Sequence, residues 1–196
     1  MGNTMSTKTW DEFYKVTSPD IVRFLQTYHE QYIKLVQSLK PKNIIEIGVG
    51  CGATMAKFVE LQYNVVGIDN NPDVIETCHK TLEGIDLKCE IVECDAFGLD
   101  IGFLGMEPSE TVCTSQGTME HFSDNDIVRL VGAQMISAGH VCFSVPTINY
   151  PAQDVGDERL MHEEDWRTIL SGFEIVTSIQ YGGADNNHQL AFALRS

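Results

Sequence analysis

The sequence predicts an α/β fold: a seven-stranded, mostly parallel sheet with flanking helices and a C-terminal antiparallel hairpin. Three observations predict it. Short apolar runs alternate with segments of helical period for five strands, which is the pattern of βαβ units. The first apolar run, Ile44-Ile45-Glu46-Ile47, passes directly into Gly48-Val49-Gly50-Cys51-Gly52, a strand-to-helix turn built on alternating glycines. The last two strands are joined only by Gly182-Gly183 to Asn187, too short for a crossover and suited to a hairpin.

Each element has its own local reason. Ser18-Pro19-Asp20 reads as an N-cap with Pro at the first helical position. Apolar or aromatic residues then recur at Ile21, Leu25, Tyr28, Tyr32, Leu35, Val36 and Leu39, one helical period that Lys40-Pro41 ends. Strand 43–47, helix 53–62, strand 64–68, helix 72–83 and strand 86–93 follow. The glycine-punctuated stretch 98–108 leaves room for a short helix only. Next come strand 110–115, a helix starting at the Ser123 cap, strand 140–145, a loop from Pro146 to Met161, helix 162–171, and strands 173–181 and 188–194. Residues 1–42 thus form an N-terminal helical segment that packs on a core of residues 43–196, one domain in all.

The glycine turn lets the backbone approach a ligand to contact distance, because no side chain stands in the way. An acid lies 21 residues after Gly48, where Asn64-Val65-Val66-Gly67-Ile68 ends in Asp69. At the tip of a second strand, that carboxylate can bind the two hydroxyls of a ribose. The pair implies a Rossmann-like site for an adenosine-containing cofactor. Gly48 to Ala53 also satisfies the dinucleotide pattern G-x-G-x-x-G/A, so the cofactor must be decided by detail. Glu46, just before the turn, would repel a pyrophosphate but hold a positively charged amino group. Gly52 adds a third alternating glycine. Val92-Glu93-Cys94 leads into Asp95, an acid placed to accept a hydrogen bond from an adenine amino group.

On these residues the sequence resembles the class I S-adenosylmethionine-dependent methyltransferases of small-molecule type. Glu46 to Gly52 looks like their first motif, Asp69 like their second-strand acid and Asp95 like their adenine-side acid. Thr111 to Gly117 looks like their fourth strand and the loop after it, and Thr118-Met119-Glu120-His121-Phe122 like their Glu-His-Phe segment. The resemblance spans residues 43 to 194. It implies a Rossmann-like methyltransferase fold, S-adenosylmethionine as cofactor, and contacts to it from Glu46, Gly48, Gly50, Gly52, Asp69, Asn70, Asp95, Ala96, Ser115 and Gln116. It also implies that Glu120 and His121 sit beside the reacting methyl group. The Asn/Asp-Pro-Pro-Tyr/Phe pattern of the nucleic-acid amino-methyltransferases is absent, which argues against a base as acceptor.

An imidazole titrates near neutrality, so His121 is a candidate base for an acceptor that loses a proton on methylation. Positioning alone can also drive transfer from a sulfonium. The 146–161 loop leaves the carboxyl edge of the sheet, where open α/β sheets bind ligands, and offers Asn149 and Tyr150 to the acceptor beside Asp154, Asp157, Glu158 and Arg159. His29, His79 and His140 read as structural or exposed, and His188, at the start of the last strand, is set aside. His162, Glu163 and Glu164 read as the first turn of a helix.

Composition bounds the partners. Of a net charge of −15, residues 1–89 carry −2 and residues 90–196 carry −13. Without a basic track, nucleic acid is not expected as a partner, nor an anionic membrane; the field favours a neutral or cationic small molecule. No apolar run reaches the length of a membrane span. Met1-Gly2-Asn3-Thr4-Met5-Ser6 fits a loose N-myristoylation pattern, but no basic cluster follows it, and a frayed start is the preferred reading. Six cysteines contain no C-x-x-C pair and no metal-ligand spacing to His, so no metal is expected and a reduced cytoplasm is. The sequence therefore predicts a cytoplasmic enzyme that methylates O or N of a small polar molecule. The alternatives are an NAD-dependent oxidoreductase, for whose usual second domain the chain has no room, and a non-catalytic cofactor-binding partner subunit that docks through its acidic half.

Overall fold

The computed structural model describes residues 18–98, 104–151 and 157–196. The N-terminal myristoylation-like pattern, the middle of the glycine-punctuated 98–108 stretch and Asp154 lie outside the described residues. The elements run α1 (Pro19–Tyr28), α2 (Glu30–Ser38), β1 (Asn43–Ile47), α3 (Ala53–Glu60), β2 (Asn64–Asp69), α4 (Pro72–Gly84) and β3 (Glu90–Glu93). They continue as β4 (Thr111–Gln116), α5 (Asp124–Ser137), β5 (His140–Pro146), α6 (Glu163–Ile169), β6 (Glu174–Tyr181) and β7 (Gln189–Arg195).

One sheet holds all seven strands in the order β3-β2-β1-β4-β5-β7-β6. The first five pair in parallel, and β7 runs antiparallel between β5 and β6. Because side chains alternate along a strand, each face feeds a separate apolar layer. Ile45, Ile47, Phe143 and Phe192 join Leu130, Val131 and Trp166 of α5 and α6 on one face. Ile44, Val112 and Cys142 join Tyr32, Met55, Phe58 and Leu82 of α2, α3 and α4 on the other. Each such side chain, taken fully from water, contributes about 1.5–3 kcal/mol.

Two elements differ from their sequence-based expectation. The single helix expected over 21–39 is broken at His29, which leaves the helical conformation (φ −93°, ψ 13°). The break turns the ring inward, where Nδ1 lies 2.8 Å from the Tyr181 hydroxyl on β6. A tertiary hydrogen bond outweighs the periodicity there. The third strand begins at Glu90 rather than 86. Residues before it finish α4 instead: Asp86 takes a positive φ of 57°, and the Leu87 amide returns to the Leu82 carbonyl at 2.9 Å. All six cysteines are unpaired. Among the described residues no helix is long and apolar enough to cross a membrane.

Candidate active site

β1 delivers the glycine turn to the C-terminal edge of the sheet, where the chain reverses its direction of winding between β1 and β4. That crevice is where open α/β sheets bind ligands. Gly48, Gly50 and Gly52 all take positive φ, at 72°, 51° and 78°. The Gly48 amide donates to the Ile68 carbonyl at 2.8 Å, and a Cβ on Gly48 would lie 2.6 Å from the Thr118 hydroxyl. The turn and the loop after β4 therefore pack directly on each other. Gly52 has a different reason to be glycine. It caps α3, and a Cβ there would lie 2.6 Å from Cys78 Sγ.

A cavity of about 340 Å³ opens at this edge. Of the residues singled out in the sequence, Glu46, Gly48, Gly50, Gln116, Glu120, His121, Tyr150 and Glu158 line it. Gly52, Asp69, Asn70, Asp95, Ala96, Ser115 and Asn149 do not. Asp69 sits half-buried at the tip of β2 and accepts the Asn71 amide at 2.9 Å, with the amides of Val49 and Gly50 also acting on its carboxylate; burial raises its pKa. It thus ties the glycine turn to β2. Asn70 beside it is exposed. Asp95 is exposed just past β3, accepts the Phe97 amide at 2.9 Å, and so caps the short turn that Ala96 begins. Ser115 is enclosed within β4, where its carbonyl receives the Tyr32 hydroxyl. Asn149 is exposed, its amide donating to Thr147 Oγ1 at 3.1 Å.

Two carboxylates on the wall are removed from water. Glu46, 2% exposed, receives a short hydrogen bond from Thr114 Oγ1, yet burial still pushes its pKa up to about 7. Glu120, also 2% exposed, is pushed up to about 8 by burial, and the charges of Glu158 and Asp157 act in the same direction. Its Oε1 lies 4.0 Å from His121 Nε2, and its Oε2 has no hydrogen-bond partner. His121 Nδ1 is 2.7 Å from Asp157 Oδ1. His121, Asp157 and Glu158 bring one ligand-type atom each within 4.8 Å of one another, the one such group found among the described residues. Arg159 turns to the Phe122 carbonyl, at 2.7 Å, and to Asp124, so it fixes the loop.

The remaining wall was not singled out in the sequence. α1 contributes Phe24, Leu25 and Tyr28, and the start of β7 contributes His188 and Gln189. His29 lines the cavity as well; burial pushes its pKa down to about 4, and through the Tyr181 hydroxyl it connects to Ser144, 2.6 Å further on. The reading of His29 as structural holds only half, since it is also wall. His188, set aside in the sequence, packs its ring edge-on to Tyr150 with centroids 6.3 Å apart. An antiparallel β7 starts at the edge where the parallel strands end, and that was the signal available for it.

Residues 44–135 match the model of a methyltransferase domain. No curated protein matches the chain in sequence. Among solved structures, magnesium protoporphyrin IX methyltransferase from Synechocystis PCC 6803, with S-adenosylmethionine bound, is 15% identical with a TM-score of 0.66, the alignment covering 95% of this chain and 89% of that one. The N-methyltransferase NodS from Bradyrhizobium japonicum WM9, in complex with S-adenosylhomocysteine, is 16% identical over 95% and 92% of the chains, with a TM-score of 0.67. A protein from Pyrococcus horikoshii OT3 is 12% identical over 94% and 98%, with a TM-score of 0.74. At these identities the likeness is one of fold.

Proposed function

From the premise that the chain carries a class I S-adenosylmethionine-dependent methyltransferase domain, we propose that it methylates oxygen or nitrogen of a small polar molecule. One observation carries this reading. A single cavity joins the glycine turn and Glu46 to the Glu120-His121 segment and the loop after β5. The donor set suits the cofactor: backbone without side chains at Gly48 and Gly50, a carboxylate for an amino group at Glu46, and an acid at the tip of β2.

S-adenosylmethionine, when bound, supplies an electrophilic methyl group on a positively charged sulfur. The chain's own residues bind and orient. We assign Glu46, Gly48, Gly50 and Gln116 to the methionine part, Asp69 to the ribose, and Asn70, Asp95 and Ala96 to the adenine. The support for Asp69 is its tie to the amides of the glycine turn. Gly52 and Ser115 serve the fold beneath the site, and Asn149 leaves the acceptor side to Tyr150 with His188 and Gln189. His121, held by Asp157, orients the acceptor opposite Glu120. Residues 43–196 form the cofactor-binding domain in this reading, and the preceding helices close one wall of its cavity. A cytoplasmic location fits six unpaired thiols, and the acidic surface fits a small-molecule acceptor rather than nucleic acid.

Incubation with S-adenosylmethionine labelled in the methyl group, against pooled small metabolites, tests the reading. Label should pass to a low-molecular-weight product. Absence of transfer from a folded chain to every pool would argue for the non-catalytic partner subunit instead.

A further inference from the structure

Two buried oxygens on the cavity wall have no hydrogen-bond partner: Glu120 Oε2 and Gln189 Oε1. The Gln189 side chain is 3% exposed and hydrogen-bonds Tyr28, while its amide oxygen stays without a partner. A buried polar group without a partner costs about 1–3 kcal/mol, and more when charged. Gln189 Oε1 is an acceptor, and Glu120 Oε2 becomes one when the carboxyl ionises, which a bound cation favours, so a cationic donor completes both. Both side chains line the same cavity. Gln189 pairs with Pro146 at the end of β5, and Tyr181, opposite Gln189 across the hairpin, is within the electrostatic reach of Glu120. Among the described residues neither Lys nor Arg lines the cavity, whereas Glu46, Glu120 and Glu158 all do.

We propose that the methyl acceptor is a primary or secondary amine, held as an ammonium by Glu120 and Gln189, and that Glu120 takes its proton. This rests on the methyltransferase reading and names its substrate class. The cofactor carries a single net positive charge, for which Glu46 already stands as counter-group. A hydroxyl has one proton to give and no charge; an ammonium supplies two or three donors and the missing charge at once. The exposed Phe24 and its neighbour Leu25 make an apolar lip for the body of the amine. In the step itself, the ammonium proton passes to the Glu120 carboxylate. The freed nitrogen lone pair forms the N–C bond, and the C–S bond breaks with its electron pair left on sulfur. Burial, which pushes Glu120 up to about 8, makes it a far better base than an ordinary carboxylate.

The test offers methyl-labelled S-adenosylmethionine with three separate panels: amines, alcohols with phenols, and carboxylic acids. Binding of S-adenosylhomocysteine is measured by calorimetry on each protein, with and without EDTA. Label should enter amines as N-methyl. Glu120→Gln should keep S-adenosylhomocysteine affinity within about twofold while amine methylation falls roughly 10²-fold or more, with partial rescue in Glu120→Asp. Gln189→Leu, which removes the second acceptor without touching the base, should raise the amine KM about tenfold and leave kcat near its original value. Label in alcohols or acids but not in amines would overturn the inference. So would wild-type turnover in Glu120→Gln, or an unchanged KM in Gln189→Leu. Activity lost to EDTA and restored by Mn²⁺ would place a divalent cation opposite these carboxylates, and would overturn it too. If the wild-type protein binds no S-adenosylhomocysteine, the methyltransferase reading itself fails and this inference falls with it.

Discussion

Glu46 and Glu120 keep their protons to about 7 and 8 in the folded chain, whereas an unfolded chain releases them near the ordinary value of 4.5. Between those values the folded state binds more protons, so stability falls as pH rises. His29 works in the opposite sense. Its folded pKa of about 4 lies below the ordinary value of 6.5, so its contribution is lost as pH drops through that window. At pH 6.5 the unfolded histidine still holds about half a proton, less than the two folded carboxyls retain, and above about pH 7.5 the carboxylates act alone. The thermal midpoint of the ligand-free protein should therefore fall from pH 6.5 to 8, by up to about 1.4 kcal/mol of stability per pH unit for each group still titrating. Glu120→Gln should flatten that fall, and differential scanning fluorimetry across the pH series would show it. Asp69→Ala is the residue-scale test of the ribose assignment. It should weaken S-adenosylhomocysteine binding by about 1.5–3 kcal/mol in calorimetry, the usual worth of hydrogen bonds to a charged group. Glu46, Asp69 and Glu120 were legible because each lies at or just past a recognisable strand end. That Glu120 would be stripped of water was not, since β5 and the segment around Arg159, both distant in sequence, pack against its turn.

The glycine turn is the element on which the site is hung. Gly48 combines a positive φ of 72° with a Cβ position 2.6 Å from Thr118 Oγ1, and β4's following loop cannot retreat without moving Glu120. Gly48→Ala should accordingly cost about 1–3 kcal/mol of stability and lower cofactor affinity in the same variant, measured by chemical unfolding and calorimetry. A variant as stable and as tightly binding as the parent would mean that the contact with Thr118 yields freely. Gly52 shows the limit of motif reading: its alternating spacing is visible in the sequence, but its contact with Cys78 of α4 is not. The same limit applies to the broken first helix. Periodicity runs without interruption from Ile21 to Leu39, and only the meeting of His29 with Tyr181, 152 residues away in sequence, explains why the chain turns there.

At the scale of the whole molecule, the seven-stranded order and the closing hairpin follow from alternation of strand and helix, which is a local property of the chain. The part of the cavity that β1 and the β4 loop supply is local too, and it was legible. The opposite wall comes from Phe24, Tyr28 and His29 on one side and His188 and Gln189 on the other, elements from the two ends of the chain that meet only after folding. Nothing in their immediate sequence marks them. Of the acidic residues, Glu46, Glu120 and Glu158 face the cavity, so the acidic composition bears on the ligand as well as on solubility.

The central claim is that this cavity takes the methyl-donor cofactor rather than a dinucleotide, although Gly48 to Ala53 satisfies patterns for both. Calorimetric titration of the folded protein with S-adenosylhomocysteine, and separately with NADH, decides it most directly. Saturable binding of S-adenosylhomocysteine at one site per chain and no heat with NADH are expected. Binding of NADH with none of S-adenosylhomocysteine would contradict it.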